Sequence, residues 1–386
     1  MSAGMLEQAM GLAILVLGLV VFMAPHVRAI SREREVTIVA SSCSADVARL
    51  LGPTVSFTPT PIARQIAPIR DLRALVALWT LFRRRRFRIV QSITPKAGLL
   101  AMIAARLAGV PVRIHWFTGQ VWATRTGAAR WLLKTMDRVL VACATHVLAD
   151  SPSQRTFLVK EGVVREGQVE VFGDGSLCGV DTARFRPDAG ARARLRHSLR
   201  IPDDAIVVLY LGRLNDEKGV PDLARAFAAE ARAESRLHLL IVGPSEVEMR
   251  HSLEALLGDV AGRTRFVDFT PEPEAYMAAA DIFVLASRRE GFGSSVIEAA
   301  ACGVPAIGTR IYGLIDAIDD GVSGLLVEVG DVDGLSEAIR TLASRADLRA
   351  DMGAAARERV QRLFRQEALT AALLQFHRRI LEGRPS

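Results

Sequence analysis

Cysteine is scarce in this chain: four in 386 residues (Cys43, Cys143, Cys178 and Cys302), widely spaced and without a CxxC pair. That excludes a disulfide framework and a zinc-ribbon site, and it reads as the reduced thiols of a cytosolic protein. The seven histidines show no HExxH or comparable spacing, so no metal held by protein ligands is expected. A P-loop, a Ser nucleophile elbow, internal repeats and low-complexity tracts are all missing. No basic segment precedes the apolar stretch near the N-terminus and no A-x-A site follows it, which argues against a cleaved signal peptide.

Half of the residues are hydrophobic, enough for packed cores, and the length favours two domains. Acidic residues are thin in the first half. Residues 1–185 carry 23 Lys/Arg against 12 Asp/Glu, a surplus of +11, whereas the remainder carries 26 against 30. A basic half beside a mildly acidic one suggests that the first half faces something anionic. Its densest piece is "FRRRRFR", Phe82 to Arg88. This is either a solvated helix end or, with Phe flanking the arginines, a membrane-surface patch. No nucleic-acid-binding motif accompanies it, and no nucleic acid is expected as a partner. The uncharged run Ala9 to Pro25 has 17 residues, short for a membrane span of about 20. It reads either as a buried strand turning at Gly18 into a buried helix, or as an N-terminal anchor.

Short β-branched runs alternate with helical stretches along the rest of the chain. Glu35–Ser41, Arg86–Ser92, Val110–Trp116 and Thr145–Ser151 read as buried strands, with helices such as Gly98–Leu107 and Gly127–Ala142 between them. The fifteen residues "DGSLCGVDTARFRPD", turn-rich and extended, are the best linker. Six further strands follow, among them Ala205–Gly212 and Asp281–Ser287, and Leu348–Leu381 reads as helix only. This rhythm predicts an α/β chain of two doubly wound parallel-sheet domains, residues 1–180 and 181–365, with 366–386 as a C-terminal helix packing back on the first.

In open α/β sheets ligands bind beyond the carboxyl ends of the strands. The strand "VVLYLG" is followed by "RLNDEKG", which places Arg213 and Lys218 in a loop at such an end. "DIFVLAS" is followed by "RREGFGSSVIE". There Gly291 and Gly293 allow close backbone approach, and Ser294 and Ser295 open a helix whose N-terminus attracts anions. Two cations and a helix N-terminus suit a diphosphate, and Glu290 and Glu298 suit the vicinal hydroxyls of a ribose or hexose. Taken singly, an Arg-x4-Lys loop is an ordinary solvated turn, and Glu298 merely favours the helix dipole. "GDGSLCG" follows a strand like a dinucleotide loop, but Cys178 occupies the sixth position and no buried helix follows, which excludes a nicotinamide site.

The motifs "LGRLNDEKGV", "ADIFVLASRREGFGSSVIEAAACGVPAIGT" with its Glu-x7-Glu, "DGVSGLLV" and "GVDTARFRP" cover most of residues 170–330. In that order they resemble the family-4 retaining glycosyltransferases. The resemblance implies the GT-B fold, two facing Rossmann-like domains with the active site in the cleft. It further implies a nucleotide-sugar donor, UDP-linked, on the second domain, with no cofactor and no metal. Arg213 and Lys218 would neutralise the diphosphate leaving group, Glu290 would hold the donor sugar and Glu298 the ribose. Gly291, Phe292, Gly293 and Ser294 would line sugar and phosphate. Retention would proceed by a front-face, ion-pair-like displacement.

Many relatives carry a His at the position aligned with Thr118 of "IHWFTGQVW". Here it is Thr, so His115, Thr118 and Gln120 are expected as acceptor or sugar contacts only. Of the family's Gly-rich first loop, "LVLGLVV" offers only Gly18, so either that loop is reduced or the start of the chain is altered. "FTGQVW" and the basic first half look like the branch acting on lipid-linked saccharides in capsule, exopolysaccharide or O-antigen assembly. That implies an anionic membrane surface as partner and a peripheral place at the cytoplasmic face of the inner membrane. Two alternatives share the architecture: a sugar-nucleotide epimerase, and a non-catalytic donor-binding membrane subunit.

Overall fold

The structure is a computed structural model that describes residues 12–15, 20–41, 45–60, 62, 67–245 and 247–383. The chain divides into two compact units, Met1–Cys178 with Glu367–Ser386, and Gly179–Gln366. Each is an all-parallel sheet with helices on both faces, which hides every strand edge but the outermost.

In the first unit the strands are β1 (Leu12–Leu15), β2 (Val36–Ala40), β3 (Val55–Pro59), β4 (Ile89–Ser92), β5 (Val112–Phe117), β6 (His146–Ala149) and β7 (Val169–Glu170). Their spatial order is β3-β2-β1-β4-β5-β6-β7, so the winding reverses between β1 and β4. The short run Leu12–Leu15 is an interior strand of the sheet, paired with β2 on one side and β4 on the other. Helix Val20–Ser31 follows it and buries Met23, Ala24, Val27 and Ile30. The first apolar stretch is thus strand and short helix, and no helix among the described residues is long and apolar enough to cross a membrane. Gly18 lies outside the described residues. Strand β3 is an edge strand whose half-exposed pattern carries little apolar signal, and the sequence alone does not reveal it.

Two layers cover this sheet. One holds the helices Pro68–Arg85, Pro95–Leu107 and Gly127–Cys143, packed side by side around Leu78, Phe82, Ala101 and Leu140. The membrane reading of "FRRRRFR" needs correcting on one point. Phe82 and Phe87 are 1% and 4% exposed and meet edge-to-face in this core, so they are unavailable to a bilayer. Arg83 to Arg86 are exposed, and Arg86 ends the helix in the left-handed conformation with φ 50°.

The other layer holds Val20–Ser31 and the last helix, Gln366–Leu381, whose Leu369, Leu373 and Phe376 join Met23, Trp116 and Phe172. That helix is also tied by His26 Nδ1 to Thr370 Oγ1 at 2.9 Å and His377 Nε2 to Gln91 Oε1 at 2.9 Å. Leu348–Leu381 is not one helix, as its pattern suggests. It breaks after Leu363 because the chain runs beside Val180, which donates to the Phe364 carbonyl at 2.8 Å and accepts from the Gln366 amide at 3.0 Å.

The second unit contains β8 (Ile206–Leu211), β9 (Leu237–Val242), β10 (Thr264–Val267), β11 (Ile282–Leu285), β12 (Ala306–Thr309) and β13 (Gly324–Val327). The order β10-β9-β8-β11-β12-β13 reverses between β8 and β11, which are hydrogen-bonded neighbours. A reversal leaves the two outgoing connections diverging to opposite faces, and the crevice between them is where such sheets bind ligands.

Candidate active site

Both motif loops leave the sheet at that crevice. β8 runs into Gly212 and then Arg213 to Gly219, a turn closed by a short 3₁₀ segment, Asp216–Lys218, capped by Asn215 Oδ1 on the Lys218 amide at 3.0 Å. Gly219 has φ 66°, and a Cβ there would lie 1.9 Å from the Ala286 carbonyl oxygen. Only glycine lets the Lys218 loop press against the end of β11. The second loop follows β11 and is stitched to the first by two bonds: the Arg288 amide donates to the Glu217 carbonyl at 2.8 Å, and Arg289 pairs with Glu217 at 2.7 Å. Arg288 also pairs with the buried Asp222 at 2.6 Å.

The structure brings Lys218 and Glu290 together. Lys218 Nζ lies 2.5 Å from Glu290 Oε1, both half-buried. Ser287 Oγ donates to the same oxygen at 2.7 Å, and the Thr309 hydroxyl in turn donates to the Ser287 carbonyl. Ser287 and Thr309 are missed by motif reasoning, yet both stand at carboxyl ends of strands, so the strand-end rule that picks Arg213 also reaches them. Arg213 itself is exposed, and its carbonyl accepts from the Tyr210 hydroxyl at 2.6 Å. Its guanidinium makes no hydrogen bond or ion pair among the described residues.

Helix Ser294–Ala301 starts from Gly293, at φ 88°, with no side chain capping it. The Val296 amide donates to the Gly293 carbonyl at 2.9 Å, and the Ser294 and Ser295 amides before it are left to solvent or to an anion. A Cβ at Gly293 would lie 2.5 Å from Leu314 Cδ2, which accounts for the glycine. Gly291 and Phe292 are buried at the turn, where Phe292 packs on Phe364 with ring centroids 5.2 Å apart. Phe292 therefore supports the loop by packing, and its backbone is the part that faces the turn.

Glu298 is the fifth residue of this helix, beyond its first turn. The dipole account of that carboxylate fails, because the effect fades within one turn. Glu298 is half-buried, and its carboxyl has no hydrogen-bond partner among the described residues. Burial pushes its pKa up to about 7, Arg184 opposing and Glu274 reinforcing the shift. A carboxyl raised above its unfolded value binds more protons folded than unfolded. It therefore costs nothing below about pH 4.5, and the cost grows as pH rises to about 7. Glu298→Gln is expected to raise the melting temperature over wild type by an amount that increases across this window and then levels, on the order of 1–3 kcal/mol at the plateau. A difference between the two melting curves that does not change with pH would remove this assignment.

In the first unit, His115 and Gln120 are 0% and 1% exposed. His115 Nδ1 bonds Ser92 Oγ at 2.8 Å, and burial lowers its pKa to about 3, so it is neutral. A Cβ on Gly98 would meet its ring at 2.6 Å. Thr118 is half-exposed and lies 3.5 Å from the Ile93 carbonyl. Of the three, only Thr118 offers surface to a ligand in this state. No group of three or more His, Cys, Asp or Glu among the described residues could hold a metal, and Cys143, Cys178 and Cys302 are free and buried.

Two doubly wound units, with cations, a carboxylate and a helix N-terminus at one switch point, are the arrangement of the GT-B fold. The chain belongs to the glycosyl transferases group 1 family: residues 191–359 match that family's model, and residues 18–175 match the glycosyl transferase 4-like domain. It is 31% identical over 310 residues to the capsular polysaccharide biosynthesis glycosyltransferase CapM of Staphylococcus aureus, covering 80% of this chain and 81% of CapM. It is 27% identical over 290 residues to the Escherichia coli UDP-Gal:alpha-D-GlcNAc-diphosphoundecaprenol alpha-1,3-galactosyltransferase, 73% of either chain. Among solved structures, sucrose-phosphate synthase of Thermosynechococcus elongatus superposes with a TM-score of 0.81 at 22% identity, over 97% of this chain and 100% of that one. The Anabaena protein HepE, solved with UDP-glucose, superposes at 0.79 and 18% identity, over 95% and 99%. These two likenesses speak for the fold alone.

Proposed function

We propose that this glycosyltransferase moves a sugar, with retention, from a UDP-linked donor to a lipid-linked saccharide in surface polysaccharide assembly, at the cytoplasmic face of the inner membrane. The observation that carries the reading is the Lys218–Glu290 pair at the β8/β11 switch point, with Arg213 exposed in the same loop as Lys218. The two relatives, named for capsule synthesis and for transfer from UDP-galactose to a diphosphoundecaprenol sugar, support the acceptor class and the nucleotide.

In this reading Arg213, Lys218 and the first amides of Ser294–Ala301 meet the diphosphate. Charge that develops on it as the glycosidic bond breaks is met by groups already fixed in place, so little reorganisation is needed. Glu290, aligned by Lys218 and Ser287, takes hydroxyls of the donor sugar; Glu298 takes the ribose. The departing phosphate accepts the proton of the attacking hydroxyl on the same face, and configuration is kept. Thr118 is the first-unit side chain left to contact acceptor or sugar, because His115 and Gln120 are buried. No metal enters this scheme, and chelation is expected to leave turnover unchanged. The membership of the family in transferases, together with this cation–carboxylate pairing, favours transfer over epimerisation.

A panel of nucleotide sugars tests the reading. One UDP-sugar should raise the melting temperature of the full chain by several degrees at saturating concentration, and the same donor should be the one transferred to a diphospholipid-linked saccharide. Stabilisation by no nucleotide sugar would sink the donor site.

A further inference from the structure

We propose that the outward face of helix Pro68–Arg85 is a docking surface that lies flat in the interface of an anionic lipid bilayer. The proposal rests on the reading above only in taking the acceptor's membrane as partner. The helix has 18 residues, about 27 Å at 1.5 Å per residue. It buries Ala74, Leu78 and Phe82. On the opposite side Ile69, Leu72, Val76 and Trp79 are 72%, 61%, 52% and 41% exposed. Their spacing of three, four and three residues puts them in one stripe. An apolar stripe on the water side of a core helix needs a partner to cover it.

The charge on the helix says which partner. Arg70 and Arg73 lie within the stripe's length, and Arg83, Arg84, Arg85 and Arg86 close its C-terminal end. The one acidic residue, Asp71, is already paired with Lys96 at 2.6 Å. None of Arg83 to Arg86 has an ion-pair partner among the described residues. A second copy of this chain would cover the stripe but would bring two sets of unpaired arginines together. A nucleic acid would neutralise the arginines and leave the apolar side chains in water. An anionic bilayer does both, with Trp79 at the headgroup level. In the same layer of helices Leu107 and Trp131, on Pro95–Leu107 and Gly127–Cys143, are also 64% and 66% exposed.

Flotation of the full chain tests this, using vesicles of phosphatidylglycerol with phosphatidylcholine against phosphatidylcholine alone. Wild type should float with the anionic vesicles at about 0.1 M salt and much less at about 1 M. Leu72→Ser with Trp79→Ser, and separately Arg83→Glu with Arg84→Glu, should each weaken association at least about tenfold. Trp116 and Trp122 are 1% exposed, so in a Trp131→Phe background a vesicle-induced blue shift reports Trp79. Variants that float like wild type, or wild type that stays down with anionic vesicles at either salt, overturn the proposal. A concentration-dependent dimer lost in the Leu72/Trp79 variant, without flotation, overturns it in favour of a second copy. Donor-induced thermal stabilisation is read in parallel. A chain that binds a UDP-sugar but no vesicle refutes the surface alone, and one that floats but binds no nucleotide sugar refutes the donor reading alone.

Discussion

Lys218→Ala is expected to lower the rate of sugar transfer by about 10²–10³-fold, or roughly 2.7–4 kcal/mol of transition-state stabilisation. Two losses combine. The leaving diphosphate forfeits a fixed cation, and Glu290, half-buried and previously 2.5 Å from Lys218 Nζ, keeps only the Ser287 hydroxyl as partner. An unneutralised carboxylate then faces the incoming diphosphate, so donor binding suffers along with kcat. Lys218→Arg keeps the charge but replaces a compact ammonium by a planar fork, and should recover only part of the rate. The folded state should be little affected, because the turn is held by the Asn215 cap and by Gly219 against Ala286. Steady-state kcat and KM with a melting curve decide the matter; wild-type turnover in the alanine variant would falsify the site.

Glu290→Ala should fall in the same range, through a different link. The side chain is aimed by Lys218 and by Ser287, itself held by Thr309 at the end of the neighbouring strand, and its loss removes the acceptor for the sugar's hydroxyls while freeing Lys218. Because the two residues act as one unit, the double variant Lys218→Ala/Glu290→Ala should be about as slow as the worse single one rather than the product of both. Strict multiplicativity would mean that the pair seen in the structure is not maintained with donor bound. Ser287→Ala provides a milder check: it removes one neutral hydrogen bond, worth about 1 kcal/mol, and should cost about fivefold without disturbing the ion pair.

The sequence by itself determined the alternation of strands and helices, and with it the parallel sheets, since strands buried on both faces must read as continuous apolar runs. It also determined which loops stand at the carboxyl ends of β8 and β11, because strand-end position is a local property: Arg213, Lys218, Glu290 and the turn at Gly293 stand where the pattern puts them. Elements whose identity rests on neighbours were not legible. Edge strand β3 has too few buried residues to show a period, and the helical run after Ala346 breaks at Phe364 only because Val180 lies alongside it. The tertiary structure alone decided that the arginine-rich turn points its phenylalanines inward and leaves Ile69, Leu72, Val76 and Trp79 outside. It likewise joined Lys218 to Glu290 across 72 residues of chain and sank His115 beneath the surface. Periodicity gives a helix two faces but cannot say which one a neighbour will cover, and partners far apart in sequence meet only when the sheet order is fixed.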